Sequence, residues 1–181
     1  MIDPEIIEQC RGGNMANFRK LVDPSSVVIF KLAFRMLGDE DKAKDVVQDT
    51  MVSVWQKIDT IKSPEVYRTW IYRIAMNKCY DELRRRKKIP EYGADDKTWS
   101  IISEKIADGS VSSFENREIA SVINVLTNRL SPKQKAVFIL SDIEELTSDE
   151  VSAITGMTKV LVKANLHYAR KRIGELLEKY I

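Results

Sequence analysis

Apolar residues recur along this chain at steps of three and four, and two-residue alternation is hard to find. Steps of three and four line one face of an α-helix, so the expected fold class is all-α. Residues 4–21 read as a short helix loosened at Gly12-Gly13 and ended by Pro24-Ser25-Ser26. A second helix runs from Val27 to Leu37 and stops at Gly38-Asp39. A third covers 40–58, where Val47, Met51, Val54 and Ile58 step by four, three and four. Ser63-Pro64 marks a turn, and a long helix then covers 65–87. The period is lost over 89–114, a stretch rich in Asp, Ser and Gly that reads as a flexible linker. Helices resume over 115–129, 132–143, 147–155 and 159–180. The expected architecture is two small helical domains, 1–90 and 115–181, joined by a linker over 91–114.

The C-terminal part carries the clearest motif. Thr147-Ser148-Asp149-Glu150 fits a capping box that opens a short helix. Gly156 sits where a tight turn needs positive φ, and Thr158 can cap a second helix. That is helix-turn-helix spacing. In the second helix Val162, Leu166, Ala169, Ile173, Leu176 and Tyr180 form one seam. Val160, Ala164, His167, Tyr168 and Lys171 point the other way, flanked by Lys163 and Arg170. From Lys159 to Arg172 there are five cations and no anion. Such a helix can enter a major groove, with its cations on phosphates. A plain lysine-bearing surface helix would share part of this pattern.

The 65–87 helix has two faces. Tyr72, Ala75, Met76, Cys79 and Leu83 form an inner one; Trp70, Ile74, Asn77, Asp81, Arg84 and Arg85 form an outer one. Residues 68–88 hold eight cations and two anions. Aromatics beside cations suit unstacked, single-stranded bases; Trp70 could equally pack against the preceding helix. Between Asp39 and Asp49 five acids face two lysines. That stretch reads either as a solvated face or as a protein-docking face.

Composition narrows the classes. At 181 residues and 44% apolar the chain can bury a core, and its net charge is only +2, so nucleic-acid binding depends on where charges sit. One His and two isolated cysteines, Cys10 and Cys79, make no metal cluster. There is no Gly-rich phosphate loop and no nucleophile–base grouping, so neither a cofactor nor a catalytic residue is expected. The acidic start, MIDPEIIEQCRGG, does not resemble a secretory leader, and no apolar run approaches membrane-span length. A cytoplasmic protein with reduced thiols and no membrane insertion is expected.

Three stretches together carry a resemblance: "AFRMLGDEDKAKDVVQDTMVSVWQKI", "YRTWIYRIAMNKCYDELRRRKK" and "LTNRLSPKQKAVFILSDIEELTSDEVSAITGM" followed by "VKANLHYARKRI". In that order they resemble the bacterial RNA polymerase sigma factors of the extracytoplasmic-function type, over nearly the whole chain. The resemblance implies a dissociable, non-catalytic subunit that binds core RNA polymerase and directs it to promoter DNA. It implies polymerase docking by Asp45, Val46, Gln48, Asp49, Met51 and Trp55. It implies recognition and melting of the minus-ten element by Ile61, Tyr67, Trp70, Ile74, Asn77, Asp81, Arg84 and Arg85. Reading of the minus-thirty-five element would fall to Lys159, Lys163, Ala164, His167, Tyr168 and Lys171. A free monomer, held inactive by an anti-sigma protein, is also implied. The chain departs from the family where Leu161, Asn165 and Tyr168 replace Thr and two Arg, and where Asp49 and Met51 replace Glu and Phe. The alternative is a stand-alone helix-turn-helix regulator, which leaves the acidic stretch and the Trp70–Arg86 face without a role.

Overall fold

The computed structural model describes residues 4–11, 15–61, 63–86 and 124–178, helices joined by short connections. The expected linker and the Lys87-Lys88 end of the basic run lie outside them. The chain divides into two compact units, Met1–Glu82 with Ala153–Thr155, and Leu83–Ser152 with Gly156–Ile181.

The N-terminal unit contains α1 (Pro4–Arg11), α2 (Met15–Leu37), α3 (Glu40–Lys57), two single 3₁₀ turns (Ile58–Thr60 and Pro64–Val66) and α4 (Tyr67–Arg86) up to Glu82. Pro24 does not end the first expected helix or separate it from one starting at Val27; α2 runs through it from Met15 to Leu37. Proline removes one backbone donor and crowds the carbonyl four residues back, here that of Lys20. Both Pro24 and Lys20 lie on the exposed side, where water can satisfy that carbonyl. On the inner side Ser25 Oγ donates to the Leu21 carbonyl at 2.7 Å, and the Tyr67 hydroxyl lies 3.0 Å from the same Oγ, tying α2 to α4. Gly38, at φ 68°, closes α2, its N–H donating to the Phe34 carbonyl at 2.8 Å. Asp39 then caps α3 by accepting from the Lys42 N–H at 3.0 Å.

The core of this unit draws Leu21, Ile29, Leu32 and Met36 from α2, Val46, Met51 and Val54 from α3, and Ile71, Tyr72, Ala75, Met76 and Cys79 from α4. Ile7 and Cys10 of α1 close one end. Each large apolar side chain removed from water contributes roughly 1.5–3 kcal/mol. The buried seam of α3 is Ala43, Val46, Thr50, Met51 and Val54, continued by Ile58. Val47, expected in it, is only half-buried.

The C-terminal unit opens with a helical stretch at 124–127, the end of the helix expected over 115–129; 115–123 lie outside the described residues. It continues with α5 (Pro132–Phe138), whose last turns widen into a π-helix (Ile139–Ile143), then α6 (Ser148–Thr155) and α7 (Lys159–Leu177). Both α5 and α6 start on capping boxes. Ser131 Oγ accepts from the Gln134 N–H at 3.3 Å while Gln134 Oε1 accepts from the Ser131 N–H at 3.1 Å. Thr147 and Glu150 repeat the arrangement, at 3.3 and 2.8 Å. Leu130, Ala169 and Ile173 pack together with Phe138 and Leu177, joining α5 to α7. Lys135 is buried and donates to Asn124 Oδ1 at 3.4 Å and Asn128 Oδ1 at 3.0 Å.

The loop after the π-helix contains Glu145 at φ 55°, the one positive-φ residue other than glycine among those described. A side chain there costs about 1–2 kcal/mol, against roughly 0.5–1 kcal/mol for the extra entropy that glycine loses on folding. Glu145→Gly is therefore expected to raise stability by about 0.5–1 kcal/mol. A lower urea midpoint in the variant would show that the Glu145 side chain contributes more than its backbone strain costs.

Candidate nucleic-acid and polymerase interfaces

In the C-terminal unit the helix-turn-helix forms as the spacing implies. Gly156 turns the chain at φ 72°, and nothing lies within 4 Å of where a Cβ would sit, so backbone conformation alone asks for glycine. Ser152 Oγ donates to the Met157 carbonyl at 2.6 Å, holding the turn against α6. Thr158 Oγ1 accepts from the Leu161 N–H at 3.3 Å and starts α7. Val162, Ala169 and Ile173 are buried; Leu166 and Leu176 are half-buried. Lys159, Lys163, His167, Tyr168 and Lys171 are exposed and Ala164 is half-buried, so all six share the outer face.

The five cations of α7 are not all available for an outside anion. Arg170 holds Asp142 of the π-helix with two hydrogen bonds, 2.9 Å from Nε and 2.6 Å from Nη2. The bonded carboxylate raises the Arg170 pKa above its ordinary value. Lys159 pairs with Asp149 and Arg172 with Glu175. Lys163 and Lys171 make no ion pair among the described residues. A shallow cavity is lined by Tyr168 and Lys171 with Arg129, Gln134, Arg172 and Glu175. Arg129 and Arg172 thus extend the basic surface past the expected set; their distance from the helix-turn-helix in sequence hid the first of them.

Along α4 the division into two faces holds. Tyr72, Ala75, Met76 and Cys79 are buried; Asn77, Asp81, Arg84 and Arg85 are exposed; Trp70 and Ile74 lie between. Two expected contact residues are buried. Ile61 and Tyr67 are each only 3% exposed, because the 3₁₀ turns fold the loop back on the core and Tyr67 is fastened to Ser25. The Trp70 ring stands 6.1 Å from that of Tyr67. Burial pushes the Tyr67 phenol up to about 12, a rise that the Ser25 hydrogen bond opposes. Tyr80, also largely removed from water, is likewise pushed to about 12 by burial and by the neighbouring Cys79.

Two docking candidates on α3 are buried likewise. Val46 and Met51 are turned into the core. Asp45, Gln48, Asp49 and Trp55 are exposed, and the stripe they form includes Val52, 56% exposed. Val52 was legible in the spacing, three residues from both Asp49 and Trp55. Trp55 is steadied by Phe18 in an edge-on contact at 4.7 Å. Much of the acidic run has local work. Asp39 caps the helix, Lys44 pairs with Glu40 and Asp41, Lys42 pairs with Asp45, and Asp49 faces Lys78 of α4 at 3.9 Å.

An all-helical set of described residues, with a cation-bearing helix-turn-helix and a separate long helix, α4, ending in arginines, has the make-up of a two-module, DNA-binding transcription protein. Two family models match it: Sigma-70 region 2 over residues 21–89 and Sigma-70, region 4 over residues 122–173. The chain belongs to the sigma-70 family of RNA polymerase sigma factors, and within it to the extracytoplasmic-function (ECF) type. It is 28% identical over 178 residues to the ECF RNA polymerase sigma factor SigW of Bacillus subtilis, 94% of each chain being covered. Two solved structures share its fold. CnrH in complex with the cytosolic domain of CnrY has a TM-score of 0.69 at 23% identity, over 98% of this chain and 97% of that one. The sigma factor RpoE in complex with the anti-sigma factor NepR, from Bartonella quintana, has 0.67 at 21%, over 90% and 97%.

Proposed function

We propose that the two units divide promoter recognition as follows. The exposed α3 stripe of Asp45, Gln48, Asp49, Val52 and Trp55 docks on core RNA polymerase. The outer face of α4, with Trp70, Ile74, Asn77, Asp81, Arg84 and Arg85, takes the minus-ten element as it opens. The outer face of α7, with Lys159, Lys163, Ala164, His167, Tyr168 and Lys171, reads the minus-thirty-five element. The working boundaries are 1–90 for the first module, 91–114 for the tether and 115–181 for the second. The observation that carries this reading is the order of the two matches, region 2 over residues 21–89 and then region 4 over residues 122–173.

The protein acts by binding alone and without catalysis. Neither module needs to be tight by itself: polymerase fixes their separation, and tethering raises effective concentration. No helix among the described residues is long and apolar enough to cross a membrane. The place of action is the cytoplasm, where polymerase meets the chromosome. The RpoE structure contains an anti-sigma factor, and the same regulation is proposed here, with the inhibitor covering the α3 and α4 surfaces of a free monomer. A pull-down from native cells that recovers polymerase and no second partner would remove that part.

The test of the whole reading is gel filtration of the protein with sigma-free core polymerase. Co-elution is expected; a symmetric dimer that ignores polymerase and binds duplex operators would establish a stand-alone regulator instead. Asp49→Lys tests the stripe. The Asp49 side chain is 70% exposed, and its pairing with Lys78 is loose, so folding stability should change by less than about 1 kcal/mol. Polymerase affinity should fall on the order of tenfold. An unchanged affinity would take the acidic stripe out of the interface.

A further inference from the structure

Val160 is the barest large apolar side chain among the described residues, 77% exposed, with Leu161 beside it at 51%. Both occupy the first turn of α7, immediately after the Thr158 cap. At about 100° per residue, Val160, Ala164, His167 and Lys171 fall within one arc of roughly 60°, and Leu161 lies next to Tyr168. This apolar tip therefore leads the face assigned above to the minus-thirty-five element, with exposed Lys163 beside it. The inference rests on that assignment and goes further, to what the tip reads.

Neither side chain can donate or accept a hydrogen bond. Pressed against guanine N7 and O6 or a cytosine amino group, they would leave those groups dehydrated and unpaired. The one apolar feature on a base edge in the major groove is the thymine C5-methyl. Lys163, which makes no ion pair among the described residues, has the sign needed to hold a phosphate beside the tip, which makes a protein occupant with basic character a poor fit. We infer that Val160, with Leu161 beside it, reads thymine C5-methyl groups in the upstream promoter duplex.

The test uses holoenzyme reconstituted from the full chain and core polymerase. Promoter fragments are first selected from a library randomised through the upstream element. Each thymine of the selected element is then replaced by 2′-deoxyuridine, which removes only the methyl. At least one replacement should weaken binding about fourfold, the value of one buried methyl group. Val160→Ser should abolish that discrimination while leaving the thermal midpoint of the chain unchanged. Lys163→Ala should weaken thymine and deoxyuridine duplexes alike and lower the salt dependence.

The inference is overturned if the selected element holds no thymine, if every deoxyuridine duplex binds equally, or if Val160→Ser keeps full discrimination. In those cases a persisting Lys163→Ala effect leaves the promoter-reading assignment standing. If randomising the upstream element and Lys163→Ala both change nothing, that assignment fails too. Loss of polymerase retention by Val160→Ser, with upstream binding intact, would make the tip a protein contact and overturn the inference.

Discussion

Trp70→Ala should slow promoter opening by roughly 5- to 150-fold, the equivalent of the roughly 1–3 kcal/mol that one base–aromatic stack contributes. Its indole is half-buried on the outer face of α4 and meets one ring among the described residues, that of Tyr67, at 6.1 Å. A fully buried tryptophan would lose about 3–5 kcal/mol on truncation; this one, with part of its surface already in water, should lose on the order of 1–2 kcal/mol. Polymerase binding, which the reading places on α3, should survive. Three readouts separate the roles: the melting midpoint of the free protein, co-elution with core polymerase, and permanganate reactivity of unpaired thymines in the initiation complex. Loss of reactivity with the first two largely kept identifies a base contact. Parallel loss of all three identifies a packing residue, and Trp70→Phe would then restore them together.

Raising the pH from 9 to 11 should destabilise the N-terminal unit by about 2–3 kcal/mol through two tyrosines alone. Tyr67 and Tyr80 are both pushed up to about 12 by burial, against 10 for an exposed phenol. Below pH 10 both states keep the proton and nothing is lost. Between 10 and 12 the unfolded chain releases protons that the folded chain retains, so stability falls as pH rises. Each phenol contributes roughly 1.4 kcal/mol per pH unit across that window. Urea midpoints at pH 9, 10 and 11 follow the effect, and Tyr80→Phe should remove about half of it. Tyr67→Phe is the poorer probe because it also deletes the hydrogen bond to Ser25. A flat midpoint across this range would mean that the folded protein lets both phenols ionise in place.

Local signals with one physical cause were the ones legible in the residues. The T-x-x-E box at Thr147, the positive φ of Gly156 and the cap at Thr158 all formed, since each depends on atoms within four residues. Periodicity likewise separated the two faces of α4 and α7. Pro24 misled, because whether a proline ends a helix depends on what satisfies the freed carbonyl, and exposure of Lys20 is a tertiary fact. Val46 and Met51, and Ile61 and Tyr67, misled differently. A resemblance transfers a motif as a block of letters, and within a motif some letters face inward to hold the others. Burial separates them: 4% and 8% for the first pair, against 56% for the overlooked Val52. Pairing was the least legible. Asp142 lies 28 residues from Arg170, and nothing in the spacing announces that they meet.

The strict separation of faces on α7 bears on how such a protein changes its targets. Val162, Ala169 and Ile173 hold the helix in place, while Val160, Lys163, His167, Tyr168 and Lys171 hold nothing up. Substitutions at exposed positions of that sort usually shift stability by no more than about 0.5 kcal/mol. The reading surface can therefore be rewritten, by descent or by design, with little risk to the fold that presents it. A duplicated copy of the gene could drift to a new set of promoters through viable intermediates at every step.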